Sequence, residues 1–304
     1  MEKSSKIWMN GTLYDWDDAK VHVLTHALHY GTAVFEGIRC HKTEQGPAIF
    51  RLHDHALRLV NSAKIYLMDL PYNADEICRA INATVKANAL EDCYIRPIAY
   101  YGYGEMGLNP FPNKVNLAIA AWPWGAYLGE EAVRNGARCM VSSWRRISPV
   151  SLPPQAKCSA NYANSALAKI EALKAGYDEA ILLNTNGMVS EGTGENIFRL
   201  KRGFLSTPPA SAGVLRGITR DSIIHLASDI GIECRRIDMS REELYTSDEL
   251  FLCGTAAGIT PIREVDGRKI GDGTWPVTRR LQRLLDDVVH GRNRKYAHWL
   301  EYVE

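Results

Sequence analysis

Apolar positions along the chain switch repeatedly between a spacing of two and a helical spacing, so strands and helices alternate throughout. Ile7-Trp8-Met9 and Thr12-Leu13-Tyr14 flank Asn10-Gly11, a dipeptide suited to a tight hairpin turn. A short strand at 48–50 precedes a helix over about 52–66, whose buried face is Leu52, Ala56, Leu59, Ala63 and Tyr66. A second helix starts at Asn73, with Asp75 and Glu76 in its first turn. Strands follow at 94–100 and 115–121, separated by a Gly- and Pro-rich loop over 102–112. After Trp122-Pro123-Trp124-Gly125-Ala126-Tyr127-Leu128-Gly129 comes a strand at 137–142. Next is a helix over about 162–175, with Ala163, Ala166, Leu167, Ile170 and Leu173 at helical spacing and Gly176 as its stop. Strands at 179–183, 188–190, 196–200, 203–206 and 250–253, and helices at about 219–230 and 276–290, complete the chain.

This pattern predicts an α/β chain of α+β type. It divides into a small N-terminal domain over 1–121, an interdomain loop over 122–133 whose aromatic side chains can close over a cleft, and a larger C-terminal domain over 134–304. Composition adds little direction. The 304 residues are 46% hydrophobic and 23% charged, with a net charge of +1, so no bias toward nucleic acid or membrane is present. No apolar run is long enough to span a bilayer, and no signal region follows Met1. Seven cysteines are scattered without Cys-x-x-Cys spacing, as expected of reduced thiols in a cytoplasm. His22, His26 and His29 lie close in sequence but lack the carboxylates and cysteines that complete a metal site, so no metal is expected.

The candidate chemistry is dispersed. Lys157 sits between a Pro-rich loop and a helix, where burial would favour a neutral, nucleophilic amine able to form a Schiff base. Arg58 lies near the apolar face of its helix and needs an anion, which phosphate or an internal carboxylate would supply. Tyr94 and Arg96 share one face of a strand and suit a carboxylate, as would a structural ion pair. Glu191 and Glu195 stand among glycines at the end of a strand. Gly217-Ile218-Thr219 opens a helix and offers backbone N–H groups to an anion. Gly254-Thr255-Ala256-Ala257-Gly258 lets a ligand approach the backbone closely. One lysine, one phosphate-like pocket and one carboxylate are what pyridoxal phosphate requires of a protein.

The stretches His26-Ala27-Leu28-His29-Tyr30-Gly31, Phe35-Glu36-Gly37-Ile38-Arg39, Tyr94-Ile95-Arg96-Pro97, Pro123-Trp124-Gly125-Ala126-Tyr127-Leu128-Gly129, Ser190-Glu191-Gly192-Thr193-Gly194-Glu195-Asn196, Gly217-Ile218-Thr219-Arg220-Asp221 and Gly254-Thr255-Ala256-Ala257 extend over nearly the whole chain. In that order they resemble the bacterial branched-chain amino acid aminotransferases, members of the fold-type IV pyridoxal-phosphate enzymes. The resemblance implies two mixed-sheet domains joined by a loop. It implies a ping-pong exchange of the amino group between L-leucine, L-isoleucine or L-valine and 2-oxoglutarate, in a cytoplasmic homodimer or homohexamer with the active site completed across the subunit interface.

The roles the resemblance implies are specific. Lys157 would be the Schiff-base lysine and would move the substrate proton. Glu191, rather than Glu195, would pair with the pyridine nitrogen, and Tyr162 would bond the phenolic oxygen. Arg58, Ile218, Thr219 and Thr255 would hold the phosphate. Tyr94, with the backbone of Thr255 and Ala256, would receive the substrate α-carboxylate, and Arg96 the side-chain carboxylate of glutamate. Tyr30, Phe35, Trp124 and Tyr127 would line an apolar pocket. Gly258 and Arg216 depart from the Glu and Pro common at those positions in the family. Sister activities on the same fold are D-amino acid or (R)-amine transamination and aminodeoxychorismate lyase chemistry; the Tyr94-x-Arg96 pair favours the branched-chain member.

Overall fold

The computed structural model describes residues 2–124 and 129–303, and the chain forms two compact units. The first comprises Met1–Trp124, Ala156–Ala160 and Asp287–Glu304, and the second Gly125–Gln155 and Asn161–Asp286. The segment that carries Lys157 therefore belongs to the first unit, as does the C-terminal tail. That differs from a single boundary near 121–134, and the physical reason is strand pairing. Val34 bridges Cys158, and Leu300–Tyr302 pairs antiparallel with Gly46–Phe50.

The first unit is built on an eight-stranded sheet. The longest strands, Cys93–Tyr101 and Val115–Pro123, pair antiparallel over nine positions, from Cys93 with Pro123 to Tyr101 with Val115. The Asn10-Gly11 hairpin forms as expected between Lys6–Met9 and Thr12–Asp15. Both turn residues have positive φ, 48° and 94°, as a primed turn demands. Helices Leu52–Ile65 and Ala74–Ala87 follow. The second carries a full capping box between Asn73 and Glu76. Ile38, Ile49, Leu52, Leu59, Ile81, Ile95 and Leu117 form one buried core with Ala156 and Cys158.

A nine-stranded sheet organises the second unit. Its pairing is mixed: Ala137–Arg145 runs parallel to both Glu179–Leu183 and Gly258–Val265, whereas Asn196–Lys201 and Glu249–Gly254 are antiparallel. Helix Ser159–Lys174 starts three residues earlier than its apolar pattern implied. Its buried positions are Asn161, Ser165, Ala168 and Ala172, while Leu167, Ile170 and Leu173 are exposed. Small side chains allow close approach to the sheet, where Ala168 and Ala172 pack with Ala180 and Leu182. Helix Ile218–Asp229 follows, with Gly217 as its N-cap. The sequence pattern gave no sign of the short helices His26–Tyr30 and Gly129–Asn135.

Candidate active site

In the first unit the site is assembled around Phe35. Strand Ala33–Phe35 lies beside the Lys157 segment, with the Phe35 N–H donating to the Lys157 carbonyl at 2.9 Å. The Lys157 N–H donates to Ser62 Oγ at 3.1 Å, so backbone on both sides of the amine is fixed. The Lys157 Nζ lies 5.0 Å from the Phe35 ring centroid, and the Arg96 guanidinium 4.9 Å from the same centroid. An amine and a guanidinium thus share one aromatic ring.

Arg96 is also 5.3 Å from the Tyr94 ring, and its Nη2 donates to the Tyr94 hydroxyl at 3.3 Å. No carboxylate pairs with Arg96 among the described residues, and its buried Nε has no hydrogen-bond partner. Tyr94 packs on Trp122 at 5.3 Å and on Trp124 at 4.8 Å. Its hydroxyl fits only because position 37 is glycine: a Cβ there would meet it at 1.9 Å.

Arg58 is clamped. Its Nε donates to Glu36 Oε1 at 2.6 Å and its Nη2 to Glu36 Oε2 at 2.8 Å, a bidentate pair. His55 Nδ1 lies 2.7 Å from the same Oε2, and Glu36 and His55 are both fully buried. Burial alone would raise the Glu36 pKa, but the charges and hydrogen bonds of Arg58 and His55 hold it well below the usual carboxylate range. Burial pushes the His55 pKa down against the pull of Glu36, and the charges of Arg58 and Lys157 add to that depression. His55 Nδ1 is thus the donor and the Glu36 carboxylate the acceptor of this buried contact.

In the second unit Glu191 lies on strand Val189–Gly192, where a bulge between Val189 and Glu191 resets the register. Its carboxylate is buried and well supplied with donors. Arg146 Nη2 is 2.9 Å from Oε1, and Asn196 Nδ2 and the Leu215 N–H are each 3.0 Å from Oε2. Asn196 also explains Gly217, because a Cβ at 217 would meet Asn196 Oδ1 at 2.0 Å. With glycine as N-cap, the helix Ile218–Asp229 has no side-chain cap, and Ile218 and Thr219 are buried in its first turn.

Glu195, four residues beyond Glu191, is in a different environment. It is buried, and burial followed by the nearby Glu179 carboxylate pushes its pKa up to about 8. Glu179 is satisfied by Lys169 Nζ at 2.8 Å and Thr193 Oγ1 at 2.7 Å. Two acids that look alike in sequence are thus separated by their donors.

The remaining residues are placed as follows. Tyr162 is half-buried on helix Ser159–Lys174. Thr255 and Ala256 are half-buried in the turn between strands Glu249–Gly254 and Gly258–Val265, where Gly258 has φ 58°. A glycine suits that conformation. Arg216 is exposed. Tyr30 ends the short helix His26–Tyr30, and Tyr127 lies outside the described residues. The three histidines are engaged locally: His26 with Thr32 Oγ1 and the Gly107 carbonyl, both at 2.7 Å, His29 with the Val23 carbonyl, and His22 with the Leu24 N–H. Sequence reasoning assigned no role to Glu36, His55, Gly37 or Arg146. The only hint was that Arg58, near an apolar face, needed an acid.

The donor set fits pyridoxal phosphate. The first unit offers an amine that shares the Phe35 ring with the Arg96 guanidinium, and the clamped guanidinium of Arg58; the second offers a buried carboxylate and a helix start with no side-chain cap. These are features of a pyridoxal-phosphate transaminase, and the chain belongs to the class IV amino-transferase family, whose pattern it matches over residues 33–265. It is 48% identical to the branched-chain-amino-acid aminotransferase of Escherichia coli strain K12, over 99% of this chain and 98% of that one. The Escherichia coli branched-chain amino acid aminotransferase crystal structure superposes with a TM-score of 0.97, at 48% identity and covering 99% and 100% of the two chains. The branched-chain amino acid aminotransferase from Thermobaculum terrenum, solved in its PLP-bound holo form, gives a TM-score of 0.94 at 39% identity, covering 100% of both chains.

Proposed function

We propose that the protein is a branched-chain amino acid aminotransferase. It transfers the amino group of L-leucine, L-isoleucine or L-valine reversibly to 2-oxoglutarate, with pyridoxal phosphate as cofactor, and yields branched-chain 2-oxo acids and L-glutamate. The observation that carries this reading is Arg96: a cation without a carboxylate partner among the described residues, set against the aromatic faces of Phe35 and Tyr94. An apolar wall receives a branched side chain, and a guanidinium at its edge receives the second carboxylate of glutamate.

Pyridoxal phosphate, when bound, would supply an electron sink. The protein supplies the rest. The Lys157 amine takes the substrate Cα proton and returns it during the exchange. In the second unit the helix start at Ile218 and Thr219, and Thr255, would hold the phosphate; in the first unit Arg58 would be a cation for it. Glu191 would face the ring nitrogen and Tyr162 the phenolic oxygen. Tyr94, with Thr255 and Ala256, receives the α-carboxylate. Tyr30, Phe35 and Trp124 would line the side-chain pocket.

We read the chain further as cytoplasmic and as a homodimer or homohexamer. Among the described residues no helix is long and apolar enough to cross a membrane. The oligomer is supported by large apolar side chains left exposed on the single chain: Val23, Leu28, Tyr103, Leu108 and Phe111 in the first unit, and Ile170 and Leu173 in the second.

The test is steady-state transamination with 2-oxoglutarate as acceptor. L-leucine, L-isoleucine and L-valine are expected to turn over well, and D-amino acids and (R)-amines poorly. Turnover confined to D-amino acids or (R)-amines would move the activity to a sister reaction.

A further inference from the structure

Glu191 is held by donors from separate stretches of the second unit, and one of them is charged. Arg146 Nη2 approaches Oε1 at 2.9 Å, while the neutral Asn196 Nδ2 and Leu215 N–H serve Oε2. Arg146 is as buried as Glu191. Its other nitrogens are fixed by longer contacts, Nε to the Gly213 carbonyl at 3.4 Å and Nη1 to Ser165 Oγ at 3.5 Å. The guanidinium is thus held beside the carboxylate from three sides.

Other charges act on this carboxylate from farther off. Arg220 feels Glu191 electrostatically but commits its Nε to Thr207 Oγ1 and its Nη2 to the Pro208 carbonyl. Glu195 also feels Glu191, yet with its pKa pushed up to about 8 it is largely uncharged near neutral pH. Arg146 is thus a cation in direct contact with Glu191.

We propose that Arg146 is a positioning residue that keeps a proton on the cofactor's ring nitrogen and off Glu191. The inference rests on the reading that Glu191 faces that nitrogen. A proton shared between the two has two resting places. On the ring nitrogen it leaves an anionic carboxylate beside Arg146 and a cation farther away. On the carboxylate oxygen it neutralises both groups, and the guanidinium loses its counter-charge. Moving the proton toward Glu191 also moves positive charge toward Arg146. Both effects have the same sign. At an effective dielectric near 20, the difference biases the proton's distribution by roughly tenfold to a hundredfold. The result is a ring that stays cationic and withdraws electrons strongly, maintained by a residue that need not touch it.

The test is the nitrogen-15 chemical shift of ring-labelled pyridoxal phosphate bound in the holoenzyme. The wild type is expected to show a protonated ring nitrogen. Arg146→Gln should move the shift toward the unprotonated value, and Arg146→Lys, which keeps the charge, should restore it most of the way. Arg146→Met, which keeps the aliphatic stem, carries the same expectation if the Gln variant does not fold. A wild-type shift in the folded Gln or Met variant would overturn the inference. Glu191→Gln distinguishes that failure from failure of the underlying reading. If Glu191→Gln moves the shift and the Arg146 variants do not, Arg146 has no such role. If Glu191→Gln leaves the shift unchanged, Glu191 does not face the ring nitrogen, and both ideas fall.

Discussion

Replacing Arg96 with methionine should separate the two substrates of the reaction. The aliphatic stem is retained, so packing against Phe35 and Tyr94 is disturbed little. What is lost is a guanidinium whose Nε has no partner among the described residues and whose Nη2 donates to the Tyr94 hydroxyl at 3.3 Å. Its hydrogen-bonding capacity is largely available to a ligand. A hydrogen bond to a charged group is worth about 1.5–3 kcal/mol, which is roughly a tenfold to 150-fold change in kcat/KM. That loss should fall on L-glutamate and 2-oxoglutarate. L-leucine should lose at most a few-fold, because its side chain offers the guanidinium no acceptor. The assay is single-turnover conversion of the bound cofactor, followed by absorbance, with L-leucine and L-glutamate in separate experiments. Equal losses for the two amino acids would refute the assignment of Arg96 to the second carboxylate.

Other outcomes follow from the same geometry. Gly37→Ala places a Cβ 1.9 Å from the Tyr94 hydroxyl, so Tyr94 must move; kcat/KM should fall by about tenfold or more for every substrate, a loss near 1.4 kcal/mol. Unaltered kinetics would show that Tyr94 does not hold the α-carboxylate. Glu36→Ala removes the buried carboxylate that clamps Arg58 and accepts from His55, and should lower stability by about 3–5 kcal/mol, read by denaturant unfolding. In the wild type, the depressed pKa values of Glu36 and His55 both mean that the unfolded chain binds more protons in acid. Their contribution is complete above the unfolded histidine value and is lost progressively as pH falls; a Tm that held level from neutral pH into acid would contradict it. Glu195 has the opposite sign. Its pKa is raised to about 8, so the folded chain binds the extra proton and this group's contribution declines as pH rises toward that value. Glu195→Gln should raise Tm more at alkaline than at acid pH, and a uniform shift would argue against a buried neutral acid.

Much of the fold was legible because it rests on local rules. The Asn10-Gly11 turn, the Asn73 cap and the apolar face Leu52, Ala56, Leu59 and Ala63 appear where turn chemistry and periodicity place them. Helix Ser159–Lys174 shows the limit. Its large apolar residues are exposed and its small ones buried, since packing distance decided which face turned inward. The candidate site divides in a similar way. Lys157, Glu191 and the pair Tyr94 and Arg96 stood out as residue types at suggestive positions. Arg146 did not, because in Trp144-Arg145-Arg146 it reads as one more basic residue at a strand end, and only tertiary structure brings it to Glu191. Glu36 was likewise invisible as a partner. Arg58 required an acid, but nothing local identified one 22 residues earlier.

The central claim is tested most directly by the visible absorption of the purified holoenzyme before and after addition of L-leucine, beside a Lys157→Ala control. The account predicts a yellow bound cofactor that converts to its pyridoxamine form with L-leucine and returns with 2-oxoglutarate, and a control that does neither at a comparable rate. A cofactor that ignores L-leucine, or a Lys157→Ala protein that converts as fast as the wild type, would contradict it.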